Sequence, residues 1–274
     1  FVPHAPGVVI EDDNVFNTFY GYGWDKNELT EPDTVIKDFI YDIIADGDEE
    51  LGDWLYGYLA HLVQHPEVNP QMCIILCGGE GIGKDTFFVI MEALIGRDHA
   101  FSTSKLGDLL PEAGGFNSSL KNKLAVMFNE TELKDGISYI EKLKEFITRT
   151  TNTINEKFVS VYSQTNRCRC VVNSNKSNPI PLQEGQRRFL QMKVSNKRKE
   201  KTEENTAYWD LLYSKIADIE SFGNELLMVN NSAWSAKAFP TTDIMKRLAE
   251  LNMKPTLKFM RDICDWNMNE WGKV

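Results

Sequence analysis

The chain has no apolar run approaching the roughly 20 residues that a membrane-crossing helix needs. Nothing at its start reads as a signal peptide, since it opens "FVPHAPGVVIEDDN". Neither membrane insertion nor secretion is expected, and the expected location is the cytoplasm or another reducing intracellular compartment. An initiator methionine is also missing, which suggests a piece of a longer protein. Cysteine is sparse. The five present lack the paired spacing and partners of a zinc site, because "CRC" alone is not a CxxC pair. Small buried thiols are expected instead. There is no internal repeat and no low-complexity tract. Basic charge is not in excess either: the formal net charge is −10, so the chain as a whole does not attract polyanions. The distribution differs from the sum. Glu141 to Arg169 holds six basic residues against three acidic ones, and Arg187 to Lys201 holds seven against Glu200 alone.

What is present is an alternation of periods. "DEELGDWLYGYLAHLVQHP" places Leu51, Trp54, Leu55, Tyr58, Leu59 and Leu62 at helical spacing, with Pro66 beyond the end. "MCIILC" (72–77) is a short unbroken apolar run, as in a parallel strand buried on both faces. "KDTFFVIMEALIG" reads as a helix closed by Gly96, "KLAVMFNE" (123–130) as a second buried strand and "YIEKLKEFITR" as a helix. "KFVSVYSQTNRCRCVVNSN" reads as two strands, 158–162 and 167–172, forming a hairpin turned at Ser163–Asn166, and "RRFLQMKV" as one more strand. The pattern after Glu203 is helical. The expected fold is α/β with a parallel sheet. Residues 1–66 would be an N-terminal extension, irregular through residue 45 and then helical. Residues 67–204 would be the core and 205–274 a C-terminal helical subdomain.

The stretch "CGGEGIGKDTF" (77–87) carries the chemistry. Gly78, Gly79, Glu80, Gly81, Ile82, Gly83 and Lys84 match G-x-x-x-x-G-K between a strand and a helix. That is the context in which glycines turn backbone N–H groups toward phosphates and the lysine neutralises the β/γ charge. The hydroxyl residue expected after the lysine, a Mg²⁺ ligand, is replaced by Asp85, and Thr86 follows. Either Asp85 serves the metal, directly or through water, or Thr86 does and Asp85 favours the helix dipole. "LAVMFNE" ends in Asn129-Glu130, which makes Glu130 the candidate water-activating base and a candidate metal contact, with Glu132 as substitute. "VVNSN" ends in Asn173-Ser174-Asn175, where a strand-end amide could polarise the attacking water.

The order "GGEGIGKDT", "LAVMFNE", "VVNSN", "GQRRF" resembles superfamily-3 helicases, more closely the helicase domain of viral, phage and plasmid primase-helicases. The resemblance covers about residues 45–240. It implies an AAA+-like phosphate-loop core, a homo-oligomeric ring (commonly a hexamer), hydrolysis of ATP with Mg²⁺, and movement along single-stranded DNA beside a linked or associated primase/polymerase domain. By resemblance, Lys84 is the phosphate-loop lysine, Glu130 the Walker B glutamate and Asn175 the sensor, with Asn173 second. Arg187 or Arg188 would supply an arginine finger to the neighbouring subunit. Lys157 falls where the family places a DNA-gripping hairpin, and Arg167 and Arg169 would join it. Asp85 and Asn129 depart from the pattern, as if an acid lost at the strand end had been replaced by one gained after the lysine. Two other classes share the loop. One is an assembly or clamp-loading ATPase that unwinds nothing, and the other is a small-molecule kinase.

Overall fold

A computed structural model describes residues 3–4, 19, 21–26, 34–109, 115–129, 136–176, 187–253, 256, 258–261 and 263. The chain enters its core through α1 (Thr34–Asp38), which continues into a π-helical turn over Phe39–Ile44. There Ala45 N–H donates to Ile40 O, five residues back, at 2.9 Å. Ile36, Phe39, Ile40, Ile43 and Ile44 are buried. This corrects the expectation of an irregular stretch through residue 45. The apolar residues of "VIKDFIYDII" recur at helical spacing, a signal hidden by the aromatic and glycine-rich residues before it. The expectation of packing does hold upstream: Tyr22 is buried, and Trp24 Nε1 donates to Leu94 O at 2.8 Å.

Helix α2 (Glu49–Gln64) is capped by Asp48, whose side chain accepts from Leu51 N at 3.0 Å. Then follow β1 (Cys73–Cys77), α3 (Lys84–Ile95), β2 (Ala100–Thr103), α4 (Leu106–Leu109), β3 (Ala125–Asn129) and α5 (Gly136–Thr148). The next strands are β4 (Thr151–Ile154), β5 (Tyr162–Thr165), β6 (Arg169–Ser174) and β7 (Phe189–Lys193). Helices α6 (Glu203–Ala217), α7 (Glu220–Met228) and α8 (Asp243–Leu251) complete the described elements.

The central sheet has 5 strands in the order β2-β3-β6-β1-β7, all parallel. Every residue of β1 and β6 is buried, so both faces are covered. From β1 the chain crosses to the far edge of the sheet at β2, works back inward through β3 to β6 beside β1, then crosses to β7 on the other side of β1. The ends of β1, β3 and β6 therefore open side by side at the carboxyl edge of the sheet, where open α/β folds bind ligands. Cys73, Cys77, Cys168 and Cys170 are buried, as expected. One hydrophobic cluster takes side chains from all three predicted segments. Gln64 of α2, for example, donates to Leu226 O of α7 at 2.7 Å and to Val229 O at 2.9 Å.

The predicted hairpin is wrong in its strands. The actual ribbon pairs β4 with β5, Thr151 opposite Thr165 and Ile154 opposite Tyr162. Residues 155–161 form its tip, and Ser163–Thr165 lie within a strand rather than in the turn. Residues 169–174 leave the ribbon for the centre of the sheet. "RCVVNS" suits a position covered on both faces, whereas "TNTI" alternates exposed and buried side chains as a half-covered ribbon does.

Arg169 moves with β6 and is fully buried. Its Nη2 donates to His65 O at 2.8 Å and His61 O at 3.2 Å, and stands 3.0 Å from His61 Nδ1. The guanidinium thus closes the C-terminal end of α2, where carbonyls lack helical partners and a cation is favoured. That location removes Arg169 from the expected DNA contacts. Burial, with the Arg169 charge adding to it, pushes the His61 pKa down to about 3, so its ring is neutral beside the cation.

Candidate functional site

The turn after β1 needs its glycines. Gly78, Gly81 and Gly83 adopt φ of 150°, 72° and 94°, angles that side-chain-bearing residues take only under strain. Gly83 is further constrained, because a Cβ there would lie 2.7 Å from the Trp209 ring. Lys84 opens α3 and is buried. Its Nζ donates to Gly78 O at 2.7 Å, Gly79 O at 2.5 Å and Asn175 Oδ1 at 3.0 Å. The cation of the loop and the amide following β6 are therefore in direct contact. Asn175 Nδ2 reaches Glu80 Oε1 at 3.4 Å. Burial is the main influence on Lys84 and lowers its pKa; the Asp85 carboxylate is the largest opposing charge, and Lys199 acts with burial.

Asp85 and Thr86 face different surroundings. Asp85 is exposed and accepts from Asn173 Nδ2 at 2.6 Å. Asn173 pairs in register with Asn129 across β6 and β3, so two strand-end amides stand together beside the carboxylate. Asn173 Oδ1 is buried and has no hydrogen-bond partner. Thr86 is buried, and its Oγ1 lies 3.0 Å from Tyr213 Oη on α6. These groups line a cleft of about 370 Å³ with Glu80, Gly81, Gly83, Asn175 and Trp209.

The arrangement fits a nucleoside triphosphate with Mg²⁺. The loop amides and the N-terminus of α3 offer N–H groups to phosphate oxygens. Asp85, the orphaned Asn173 Oδ1 and the Asn129 amide supply the oxygen donors that a hard cation takes. Among the described residues no group of three His, Cys, Asp or Glu forms a separate metal site. Glu130 and Glu132 lie outside the described residues.

Residues Gly78–Thr86, Asn129, Asn173 and Asn175 thus converge as the sequence implies. Arg187 and Arg188 do not join them. They are exposed at the start of β7, where Cys73 N–H donates to Arg188 O at 2.7 Å. That is the opposite edge of the sheet, a strand length of about 16 Å away at roughly 3.3 Å per residue. Lys157 is exposed at the ribbon tip, with Nζ 5.7 Å from the Phe116 ring centroid. Arg167 is half-buried beside β5, lining a shallow groove with Lys121 and Gln164.

Three residues at the loop escaped the sequence reading: Lys199, Trp209 and Tyr213. Lys199 Nζ lies 3.5 Å from where a side chain at Gly79 would begin. Its turn is anchored on the loop side by Val194 N–H to Cys77 O at 2.9 Å, and on the α6 side by Trp209 Nε1 to Arg198 O at 3.1 Å. The available signal was a basic run followed by two aromatics at i, i+4 spacing, one face of a helix.

Residues 76–188 match the model of a family of unknown function, DUF5906. Over 169 residues the chain is 26% identical to the DNA primase-polymerase of Nitratiruptor phage NrS-1, covering 61% of this chain and 23% of that protein. Two solved structures of the NrS-1 C-terminal region are similar in fold. An apo structure of residues 305–718 gives a TM-score of 0.69 at 21% identity, and an A form apo structure gives 0.68 at 24%. Each alignment covers 85% of this chain and 54% of the other. The chain therefore spans about a quarter of the curated relative and about half of the solved region. At these identities the structures speak for the fold, a mixed α/β chain with a parallel central sheet. The chain is related in sequence to a phage primase-polymerase. No described helix is long and apolar enough to cross a membrane.

Proposed function

We propose that the chain is the ATP-dependent helicase part of a phage-type replication protein. In this reading it is a superfamily-3, AAA+-like core that assembles as a ring, of the hexameric kind its resemblance implies, hydrolyses ATP with Mg²⁺ and moves along single-stranded DNA beside a primase/polymerase domain. The observation that carries the reading is the contact of Lys84 Nζ with Asn175 Oδ1 at 3.0 Å. It joins a glycine-rich phosphate loop to a strand-end amide where the terminal phosphate would lie. Lys84 would neutralise β/γ charge, Asn175 would orient the attacking water and Glu130 would accept its proton. Mg²⁺, which Asp85 with the Asn173 and Asn129 amides would hold, would supply charge to offset that of the phosphates.

Asp85 is the chain's own metal carboxylate in this reading, with Asn129 in the place of the usual strand-end acid. Support comes from its exposure into the cleft and from the unpartnered Asn173 Oδ1 beside it. Thr86, buried against Tyr213, is the weaker candidate. Asp85→Ala should raise the Mg²⁺ concentration for half-maximal hydrolysis on the order of tenfold, and Thr86→Ala much less; a tenfold shift corresponds to about 1.4 kcal/mol, within the range of one charged ligand contact. A Mg²⁺ titration giving the opposite order would transfer the metal role to Thr86.

Movement on DNA requires basic groups facing the strand. In this reading Lys157 at the ribbon tip, beside the exposed Phe158, would be the principal contact, with Arg167 second; their support is the exposure of the tip. Phosphate contacts of this type hold any sequence and weaken steeply with salt. The direct test is Mg²⁺-dependent ATP hydrolysis with and without a single-stranded oligonucleotide, together with strand displacement on a forked duplex. Wild-type protein should show both DNA stimulation and displacement, and Lys157→Ala should lose both while melting at the wild-type temperature. Hydrolysis without displacement would favour an assembly or clamp-loading ATPase. Absence of hydrolysis would defeat the reading.

A further inference from the structure

Helix α6 lays two aromatic side chains across the phosphate cleft, and nothing in the phosphate and metal chemistry uses them. Trp209 is half-buried and held on three sides. Its Nε1 donates to Arg198 O at 3.1 Å, Phe39 meets it edge-on at 6.0 Å, and its ring covers Gly83. Tyr213 follows one turn later, with ring centroids 6.4 Å apart and planes inclined by 37°. Tyr213 is 48% exposed, and its hydroxyl is tied to Thr86 at 3.0 Å.

We propose that Tyr213, backed by Trp209, is the stacking platform for the base of the bound nucleotide; this rests on the nucleotide-binding reading above. Phosphates lying on the loop follow the amides of residues 81–85. Thr86, whose N–H is donated to Gly83 O at 3.1 Å, closes that row, and Tyr213 is the side chain touching Thr86 on the cleft side. A base leaving the α-phosphate end therefore meets the Tyr213 ring. A larger cavity, about 710 Å³ between the Ala45–Leu51 turn, the end of β7 and α8, also borders the loop, but only at Gly78 and Gly79. Their carbonyls face Lys84, and the Gly78 N–H is already donated to Ser174 O at 3.1 Å, so this border has little to offer an anion.

The chemistry of the platform sets its selectivity. An aromatic face stacks on any base. The side-chain amides of the cleft stand at the phosphate end rather than beside Tyr213: Asn175 on Lys84, Asn173 on Asp85, and Asn129 in register with Asn173. The site should accept ATP and GTP within a few-fold of each other and hold pyrimidine triphosphates more weakly, because a smaller ring stacks over less area.

The test is calorimetric titration of wild type, Tyr213→Ala and Tyr213→Phe with ATP, GTP, CTP and inorganic tripolyphosphate. Tyr213→Ala should weaken ATP on the order of tenfold and leave tripolyphosphate unchanged, which also reports an intact loop. Tyr213→Phe keeps the ring and should bind ATP as wild type does. Equal losses for ATP and tripolyphosphate would assign Tyr213 a structural role through Thr86 and overturn the proposal. So would wild-type ATP affinity in Tyr213→Ala, which would move the base to the larger cavity. Wild-type protein that bound neither ligand would overturn the nucleotide reading itself.

Discussion

Lys84→Ala should lose on the order of 30-fold or more in ATP affinity and with it all measurable hydrolysis, because truncating one partner of a buried charge contact costs about 2–5 kcal/mol. The side chain is 8% exposed and makes three hydrogen bonds inside the loop. Alanine therefore removes both the charge that would meet the phosphates and the strut between loop and strand end. Lys84→Met retains the buried stem and separates the two effects: it should restore the melting temperature without restoring ATP binding. Glu130→Gln should do the reverse of Lys84→Ala, holding ATP but not turning it over. Fluorescent-nucleotide binding and phosphate release, measured on the same preparations, check all three. Normal hydrolysis by Lys84→Ala would sink the assignment.

The loop was legible because its parts are local. An unbroken apolar run, glycines and a periodic helix follow one another within residues 72–96, and each has its own physical signature. The ribbon was not, because "KFVSV" and "TNTI" differ little in strand preference. What separates them is tertiary: β6 is drawn into the sheet by cover on both faces. Arg169 was misread for a related reason. A lone arginine in sequence reads as a surface charge, yet its acceptors are helix carbonyls 104 and 108 residues away. The departures of Asp85 and Asn129 from the family pattern were legible, but the pairing of Asp85 with Asn173, which spans 88 residues, was not. Tyr213 and Lys199 were missed because no local rule says that α6 and the turn before it return to the loop.

Arg188→Ala should lower the hydrolysis rate by about 10³-fold or more, the range of a lost arginine finger, and the loss should be repairable by a second, differently disabled protein. The geometry supports action between subunits. Arg187 and Arg188 are exposed at the amino end of β7, whereas the loop lies at the carboxyl end of its neighbour β1. Neither can reach its own subunit's cleft across the sheet, while in a ring that edge is available to the next copy. Lys199, by contrast, approaches Gly79 from within the same chain and would supply positive charge in cis. Mixing Arg188→Ala with Lys84→Ala creates interfaces that pair an intact loop with an intact arginine, so a fraction of the activity should return in proportion to mixed assemblies. The same mixture made with Arg187→Ala shows which arginine acts: only the finger should be inactive alone and rescued in the mixture. Mixed assemblies, verified by mass, that recover nothing would place every catalytic group within one subunit and remove the need for a ring in the chemical step.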